Sequence, residues 1–310
     1  MSRARRNIMW PLVIIAVGSV WLLHVAGAFP DVVGDILTRA WPALLVLFGF
    51  DVLAAQRQLR IAGRGINLSL LGMVLLAVFL AGVIWFGYQA QADVLRDDNQ
   101  VDFAETLSDD VTRVQLDFVL ERTTVTISPA AGDARALQAA FKGSRESDVE
   151  MVWAVQGDTG TLTISETYRS SIPRLEDLGR GTLDVTLPAG VVIEAFSLSA
   201  AEGTMVADLR PLRVEQLDLA LDDGDLTLSL PGQDTLVGNV RLGSGDLLLN
   251  VPREMALTLK ANGNPNYDFD RDRYDLLVDG PLKLRNVASF QISLDVWIKN
   301  GALLKIVDVE

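Results

Sequence analysis

The amino-acid sequence predicts two parts with different surroundings: an N-terminal α-helical transmembrane bundle of three spans, followed by an all-β domain. Hydrophobic residues make up 49% of the 310 residues, and their excess is concentrated in the first 90. Residues 1–90 carry a net charge of +4 and residues 91–310 one of −17, which together give the −13 of the chain. Glycine-led segments recur about every 21 residues in the acidic part. This period predicts a β-solenoid or β-helix-like stack with rungs of about 21 residues.

Three apolar segments are long enough to cross a bilayer, which takes about 20 helical residues. They are 8–29, 36–55 and 66–90, and their few charged side chains lie near the ends, where they can reach the headgroups. We therefore assign residues 1–92 to a transmembrane region.

Arginines predict the orientation of this region. Three lie among the first six residues and three in the loop 56–65, whereas the connection 30–35 has two aspartates and no basic residue. By the positive-inside rule, the N-terminus and the loop 56–65 are cytoplasmic, and three crossings place the β-domain outside the inner membrane of a bacterial cell. The alternative is a cleaved signal peptide, since residues 26–28 (AGA) resemble a cleavage site. The β-domain would lie outside in either case.

The repeat is clearest where apolar and polar residues alternate after each glycine. The segments GDLTLSLP (224–231) and GDLLLNVP (245–252) begin 21 residues apart, and alternation with period two predicts strands. Superimposed repeats align three columns: Leu162, Leu183, Met205, Leu226 and Leu247 in the first, Phe196, Leu217, Gly238 and Leu259 in the second, and Leu198, Leu219, Val240 and Ala261 in the third. One repeat buries too little apolar surface to offset the entropy of ordering it, so the repeats must stack.

The two ends of the predicted stack, 111–310, have other expected structures. Residues 93–110 are polar and are predicted to form a linker. We expect two strands within Val111–Ser128, and a short amphipathic helix over Ala134–Lys142 that caps the first rung. Further strands are expected over Tyr274–Val278, Leu282–Leu284, Phe290–Ile298 and Ala302–Val307.

Two stretches resemble a known family. WPLVIIAVG (10–18) and WPALLVLFG (41–49) resemble the membrane region of LiaF/LiaI-type proteins, and GDLTLSLP and SGDLLLNVP resemble the toast-rack β-domains of the cell-wall-active antibiotic response family. This resemblance implies a role in cell-envelope stress, with modulation of a membrane sensor kinase and no catalytic residues. The sequence has three spans where some relatives have four.

Five aspartates form the metal candidate: Asp268, Asp270, Asp272, Asp275 and Asp279. Oxygen ligands at alternate positions suit Ca²⁺, and this spacing is similar to that of an EF-hand loop. However, Arg273 occupies the position where such a loop needs glycine, the last ligand is aspartate instead of glutamate, and no helices flank it. A solvated face partly neutralised by arginines is the alternative.

The sequence argues against an enzyme. It has no cysteine, and its only histidine, His24, lies in the first predicted span, which excludes a Ser/His or Cys/His pair outside the membrane. Asp222, Asp223 and Asp225 are acid and base candidates for polysaccharide cleavage, but their place beside Gly224 favours turn formation. The acidic charge also excludes nucleic acid as a partner.

Two functions fit this sequence. The first is a membrane-anchored, non-catalytic regulator or scaffold in cell-envelope stress signalling, which contacts membrane proteins such as a sensor histidine kinase and forms homo-oligomers. The alternative is an extracytoplasmic adhesin-like or calcium-assisted polymer-binding module on a membrane anchor. No cofactor is predicted, apart from calcium as a candidate for the polymer-binding alternative.

Overall fold

The computed structural model describes residues 59–61, 64–66, 78, 81–82, 85, 94–132, 134–169, 179–232, 234–277, 281–284, 290–299 and 301–309. The chain divides into two compact units, residues 1–94 with 172–178 and residues 95–171 with 179–310. The second unit contains most of the described residues and all of the predicted β-domain except residues 172–178.

In the first unit, strand β1 (Leu59–Ile61) pairs antiparallel with β2 (Arg64–Ile66), within and just beyond the predicted loop 56–65. Residues 78, 81, 82 and 85 are helical and fall inside the third predicted span, 66–90. The first two predicted spans, 8–29 and 36–55, lie outside the described residues. Among the residues that the structure describes, no helical segment has the length and apolar character that a membrane crossing requires.

The second unit is all-β, and its described residues form one sheet of 18 strands. The strands are β3 (Asn99–Thr106), β4 (Arg113–Pro129), β5 (Ala136–Gly143), β6 (Ser147–Gln156), β7 (Thr159–Tyr168), β8 (Gly181–Leu187), β9 (Val192–Glu202), β10 (Met205–Asp208), β11 (Arg213–Asp223), β12 (Leu226–Ser229), β13 (Leu236–Leu242), β14 (Leu247–Pro252), β15 (Met255–Asn262), β16 (Asn266–Asp268), β17 (Tyr274–Leu276), β18 (Leu282–Leu284), β19 (Phe290–Ile298) and β20 (Leu303–Val309). Strand β4 joins two halves, since its N-terminal part pairs with β7 and β9 and its C-terminal part with β8 and β10. We call the half that contains β8 the first sheet and the half that contains β9 the second sheet.

Rungs stack in parallel along this unit, each formed by a segment in the second sheet followed by one in the first. In the described residues their order is β7–β8, β4, β9–β10, β11–β12, β13–β14, β19–β20 and β15–β16. In the three central rungs, paired residues such as Met205, Leu226 and Leu247 lie 21 positions apart. The predicted 21-residue register is confirmed for these rungs.

Two rungs enter the stack out of chain order. Strand β4 precedes the other rungs in sequence but lies second, so Val125 is placed between Leu183 and Met205. Strands β19 and β20 come last in sequence but lie sixth, with β19 between β13 and β15. Antiparallel strands then cover both end rungs: β5 and β3 beside β8, β6 beside β7, and β18 and β17 beside β15. These additions protect edges that would otherwise pair with other chains.

Three sequence predictions need correction. The aligned columns omitted the inserted rungs and placed Leu162 with Leu183, whereas Leu162 lies in the second sheet opposite Leu116. The helix predicted over Ala134–Lys142 is strand β5, because its buried residues alternate with period two, as in a strand. The predicted linker 93–110 contains strand β3, which pairs with β5 along its whole length.

The two sheets enclose one continuous apolar core, which includes residues from Leu107 to Ile306. Adjacent rungs contribute Phe118 and Phe196, whose rings meet edge to face with centroids 5.7 Å apart. Strand β4 crosses from one sheet to the other at Glu121 and Arg122, where two separate strands were predicted. The inserted rung thus packs in both sheets as one continuous strand.

Stacked glycines line one corner between the second and first sheets. These residues, Gly203, Gly224 and Gly245, are called the glycine corner below. Gly224 has a φ of +135°, and a Cβ there would lie 1.7 Å from the carbonyl oxygen of Gly203. Glycine is therefore required for both the backbone conformation and the close approach of successive rungs.

Candidate functional site

The aspartates of the calcium candidate have separate surroundings. Asp268 forms an ion pair with Lys305, with 2.8 Å between oxygen and nitrogen. Asp270 accepts hydrogen bonds in a turn, through Oδ1 from the N–H of Asp272 at 2.8 Å and through its carbonyl from the N–H of Tyr274 at 3.0 Å. Asp275 is exposed in β17, and Asp279 lies outside the described residues. In the described part of the chain, no three acidic or histidine side chains are grouped to hold a metal. The calcium site stays a prediction.

Beside this turn, a buried tyrosine fixes the last strand. Tyr274 is 1% exposed and donates a hydrogen bond through its hydroxyl to Asp308 at 2.7 Å. Arg273 also forms an ion pair with Asp308, with 3.2 Å between Nη1 and Oδ1. Burial, and then the hydrogen bond to Asp308, raise the pKa of Tyr274 well above its usual value of 10. This group joins the turn to β20 and so stabilises the inserted rung.

A buried glutamate lies where β4 changes sheets. Glu166 is 1% exposed and accepts hydrogen bonds from Thr123 Oγ1 at 2.7 Å, from the N–H of Glu121 at 2.9 Å and from Ser147 Oγ at 2.9 Å. Three donors satisfy the carboxylate inside the protein. Its burial and internal partners indicate a structural role.

Acids beside the glycine corner also have internal partners. Asp225 accepts a hydrogen bond from the N–H of Asp246 at 2.9 Å, and Asp246 accepts one from the N–H of Leu303 at 2.9 Å. Asp223 accepts a hydrogen bond from the hydroxyl of Ser244. These carboxylates accept hydrogen bonds from groups of the next rung.

The outer face of the second sheet has a different arrangement. A groove of about 480 Å³ crosses it, lined by outward residues of β9, β11, β13, β19 and β15. We call it the outer-face groove. Trp297, in β19, is 49% exposed on its surface. Its indole ring therefore offers a flat apolar surface to the solvent beside the polar lining of the groove.

Strand register arranges the groove residues in two rows across the strands. The first row is Ser197, Asp218, Asn239 and Asp295, and the second is Ser199, Ala220, Arg241, Trp297 and Asn262. Lys260 continues the first row on β15. Since neighbouring strands lie about 4.8 Å apart, five strands span about 19 Å along the stack.

Four polar side chains of the groove are unused within the part of the chain that the structure describes. Among the described residues, no hydrogen bond or ion pair involves the side chains of Asp218, Asn239, Arg241 or Asp295. Elsewhere on the second sheet, Arg113 pairs with Glu194 at 3.2 Å and with Glu215 at 2.7 Å. The groove therefore has free donors and acceptors beside an exposed aromatic ring.

Comparison with known proteins shows that this chain shares its fold with a solved structure. No family model matches the sequence, and no curated protein matches it either. A proposed cell adhesion protein from Clostridium sporogenes ATCC 15579 is similar in structure, with a TM-score of 0.55 and 16% identity over 68% of this chain and 100% of that chain. The two share a fold.

Two other solved structures score below 0.5 and support no conclusion about this chain. A proposed adhesin from Bacteroides fragilis NCTC 9343 has a TM-score of 0.26 and 7% identity over 69% of this chain and all of that chain. A proposed lipid-binding protein from Parabacteroides distasonis ATCC 8503 has a TM-score of 0.23 and 9% identity over the same shares.

Sequence reasoning missed the outer-face groove. Part of the signal was present, because Ser197, Asp218 and Asn239 recur at the 21-residue period on the outward side of their strands. Asp295 and Trp297 come from the inserted strand β19, 56 positions after their partners on β13, and no repeat places them there. Glu166 also had a signal, since it shares the inward side of β7 with Leu162 and Ile164.

Proposed function

We propose that this protein is a non-catalytic, adhesin-like binding module held on the outer side of a bacterial inner membrane, and that the outer-face groove is its binding surface. The observation that carries this proposal is the groove itself, where Trp297 lies beside polar side chains that have no partner among the residues the structure describes. The fold shared with a proposed cell adhesion protein supports it.

The anchor is the second element of the proposal. Three apolar segments of sufficient length precede the β-domain, and the helical residues Val78 and Trp85 in the third are 63% and 70% exposed. Exposed apolar side chains of this size favour contact with lipid.

Co-sedimentation tests the binding function. The full-length protein, purified in detergent, is mixed with insoluble cell envelopes, and the bound fraction is measured. We expect binding by the wild type and by Val206→Ala, which changes an exposed residue of the first sheet, and at least tenfold weaker binding by Trp297→Ala. Absence of binding by the wild type would refute the adhesin-like function.

The absence of native cysteine allows a clean test of the orientation. Single-cysteine variants at Asp222, in the β-domain, and at Gln58, in the predicted cytoplasmic loop, are exposed to a membrane-impermeant maleimide in spheroplasts. We expect labelling of Asp222→Cys alone. Labelling of Gln58→Cys but not Asp222→Cys would reverse the orientation.

The regulator function remains a separate proposal, supported by the resemblance of the membrane hairpin and the GDL-containing segments to stress-response proteins. It predicts that deleting the gene alters the transcriptional response to a wall-targeting antibiotic. An unchanged response, together with envelope binding through Trp297, would favour the adhesin-like module.

A further inference from the structure

We infer that the outer-face groove binds a neutral polysaccharide chain that lies along the stack, across the strands, with one sugar ring stacked on Trp297. This inference rests on the proposed binding function and adds the chemical class of the ligand. It follows from the geometry of the two rows, the types of side chain in them, and the charge of the domain.

The geometry fits a repeating, extended polymer. Each row presents one side chain per strand, and strands repeat about every 4.8 Å, which is comparable to the length of one sugar unit in an extended chain. The two rows are two residues apart along each strand, or about 6.6 Å, so a single sugar ring can contact both. A ligand along the groove would therefore meet a new side chain of each row at successive units.

The side chains fit hydroxyl-rich rings. Carboxylate, amide and guanidinium groups are planar and can each contact two neighbouring hydroxyls, and Asp218, Asn239, Arg241 and Asp295 supply all three types. Trp297 offers a flat apolar face to the C–H groups of a sugar ring. A protein partner would instead favour a buried apolar centre, whereas most outward residues of these rows are polar.

The charge selects a neutral ligand. Residues 91–310 carry a net charge of −17, and the two rows place two aspartates beside Arg241 and Lys260, so this acidic domain has no excess of positive charge at the groove. Such a surface repels polyanions, including phosphate-containing wall polymers and uronic acid polymers. Hydrogen bonds to neutral hydroxyls carry no such penalty.

The test uses full-length protein in a detergent without a sugar headgroup, so that the detergent does not compete. An array of neutral and anionic glycans is screened first, and the tightest neutral glycan is then measured by calorimetry as a series of two to eight units. We expect affinity to increase with length and to level off near four or five units. Binding should fall at least tenfold in Trp297→Ala and less in Trp297→Phe.

Two further variants test the first row of the groove and the opposite face of the stack. Asn239→Ala should weaken binding several-fold, and Val206→Ala, on the opposite face, should leave it unchanged. Envelope binding without binding to any neutral glycan would overturn the ligand class while leaving the proposed function in place. Equal binding of a neutral glycan by the wild type and by Trp297→Ala would exclude this groove as the binding site. Absence of envelope binding by the wild type would refute the proposed function itself.

Discussion

The glycine corner and the outer-face groove both place aspartates in the repeated rungs, but they use them differently. At the corner, Asp225 and Asp246 accept hydrogen bonds from the next rung, so these carboxylates use hydrogen-bonding capacity inside the protein. In the groove, Asp218 and Asp295 accept none among the described residues. A recurring polar residue therefore indicates a binding surface only when its hydrogen-bonding groups remain available. Changes at the corner and its buried contacts should alter stability, and changes in the groove should alter binding.

The largest effect is expected at the corner. Gly224→Ala places a Cβ 1.7 Å from the carbonyl oxygen of Gly203 at a positive φ, which should lower the free energy of unfolding by about 3 kcal/mol or more. Urea unfolding of the full-length protein, followed by circular dichroism, measures this loss. Gly190→Ala is the matched control, since Gly190 has a φ of +76° but nothing within 4 Å of the added atom. It should cost about 1 kcal/mol, and equal losses would mean that close approach of the rungs is unimportant.

The next effect concerns the inserted rung β4. Glu166→Ala removes the acceptor for Thr123, Ser147 and the N–H of Glu121, and leaving these buried donors without a partner should cost about 3 kcal/mol. Thermal unfolding measures the loss. The control is Glu150→Ala on the exposed side of β6, with an expected change within about 0.5 kcal/mol. Similar melting temperatures for both variants would contradict a structural role for Glu166.

A smaller effect is expected at Tyr274. Tyr274→Phe removes the hydrogen bond to Asp308 and should lower stability by about 1 kcal/mol at neutral pH. Because the pKa of Tyr274 is raised in the folded state, only the unfolded chain ionises this group as the pH rises above 10, and the wild type then loses stability. The difference between wild type and variant should therefore shrink with increasing pH, as measured by urea unfolding between pH 8 and 11. A constant difference would show that Tyr274 does not contribute to alkaline unfolding.

The 21-residue repeat determines how much of the fold and of the groove could be predicted from the sequence. The 21-residue period identifies residues 192–252 because each rung there pairs with the next one along the chain. It fails at β4 and β19, because both strands pair with rungs that are distant from them along the chain. It also fails at β5, where a short apolar pattern fits both a helix and a strand. Pairing with β3 and β8 determines that this segment is a strand. The part of the groove formed by β9, β11 and β13 could therefore be predicted from spacing, while Asp295 and Trp297 required the structure.

The smallest change in stability is expected in the groove itself. Asp218 and Asp295 lie in one row, two strands or about 9.6 Å apart, so their repulsion in water is a few tenths of a kcal/mol and is screened by salt. Lys260, beside Asp295 in the same row, attracts it by at least a similar amount. Asp295→Asn should therefore change stability by no more than a few tenths of a kcal/mol, as urea unfolding would measure. The same substitution keeps a planar group that can bind hydroxyls, so envelope binding should fall only a few-fold, unlike the loss in Trp297→Ala. A loss of more than about 1 kcal/mol would mean that Asp295 supports the fold. The groove would then resemble the corner, and its aspartates would no longer be evidence of binding.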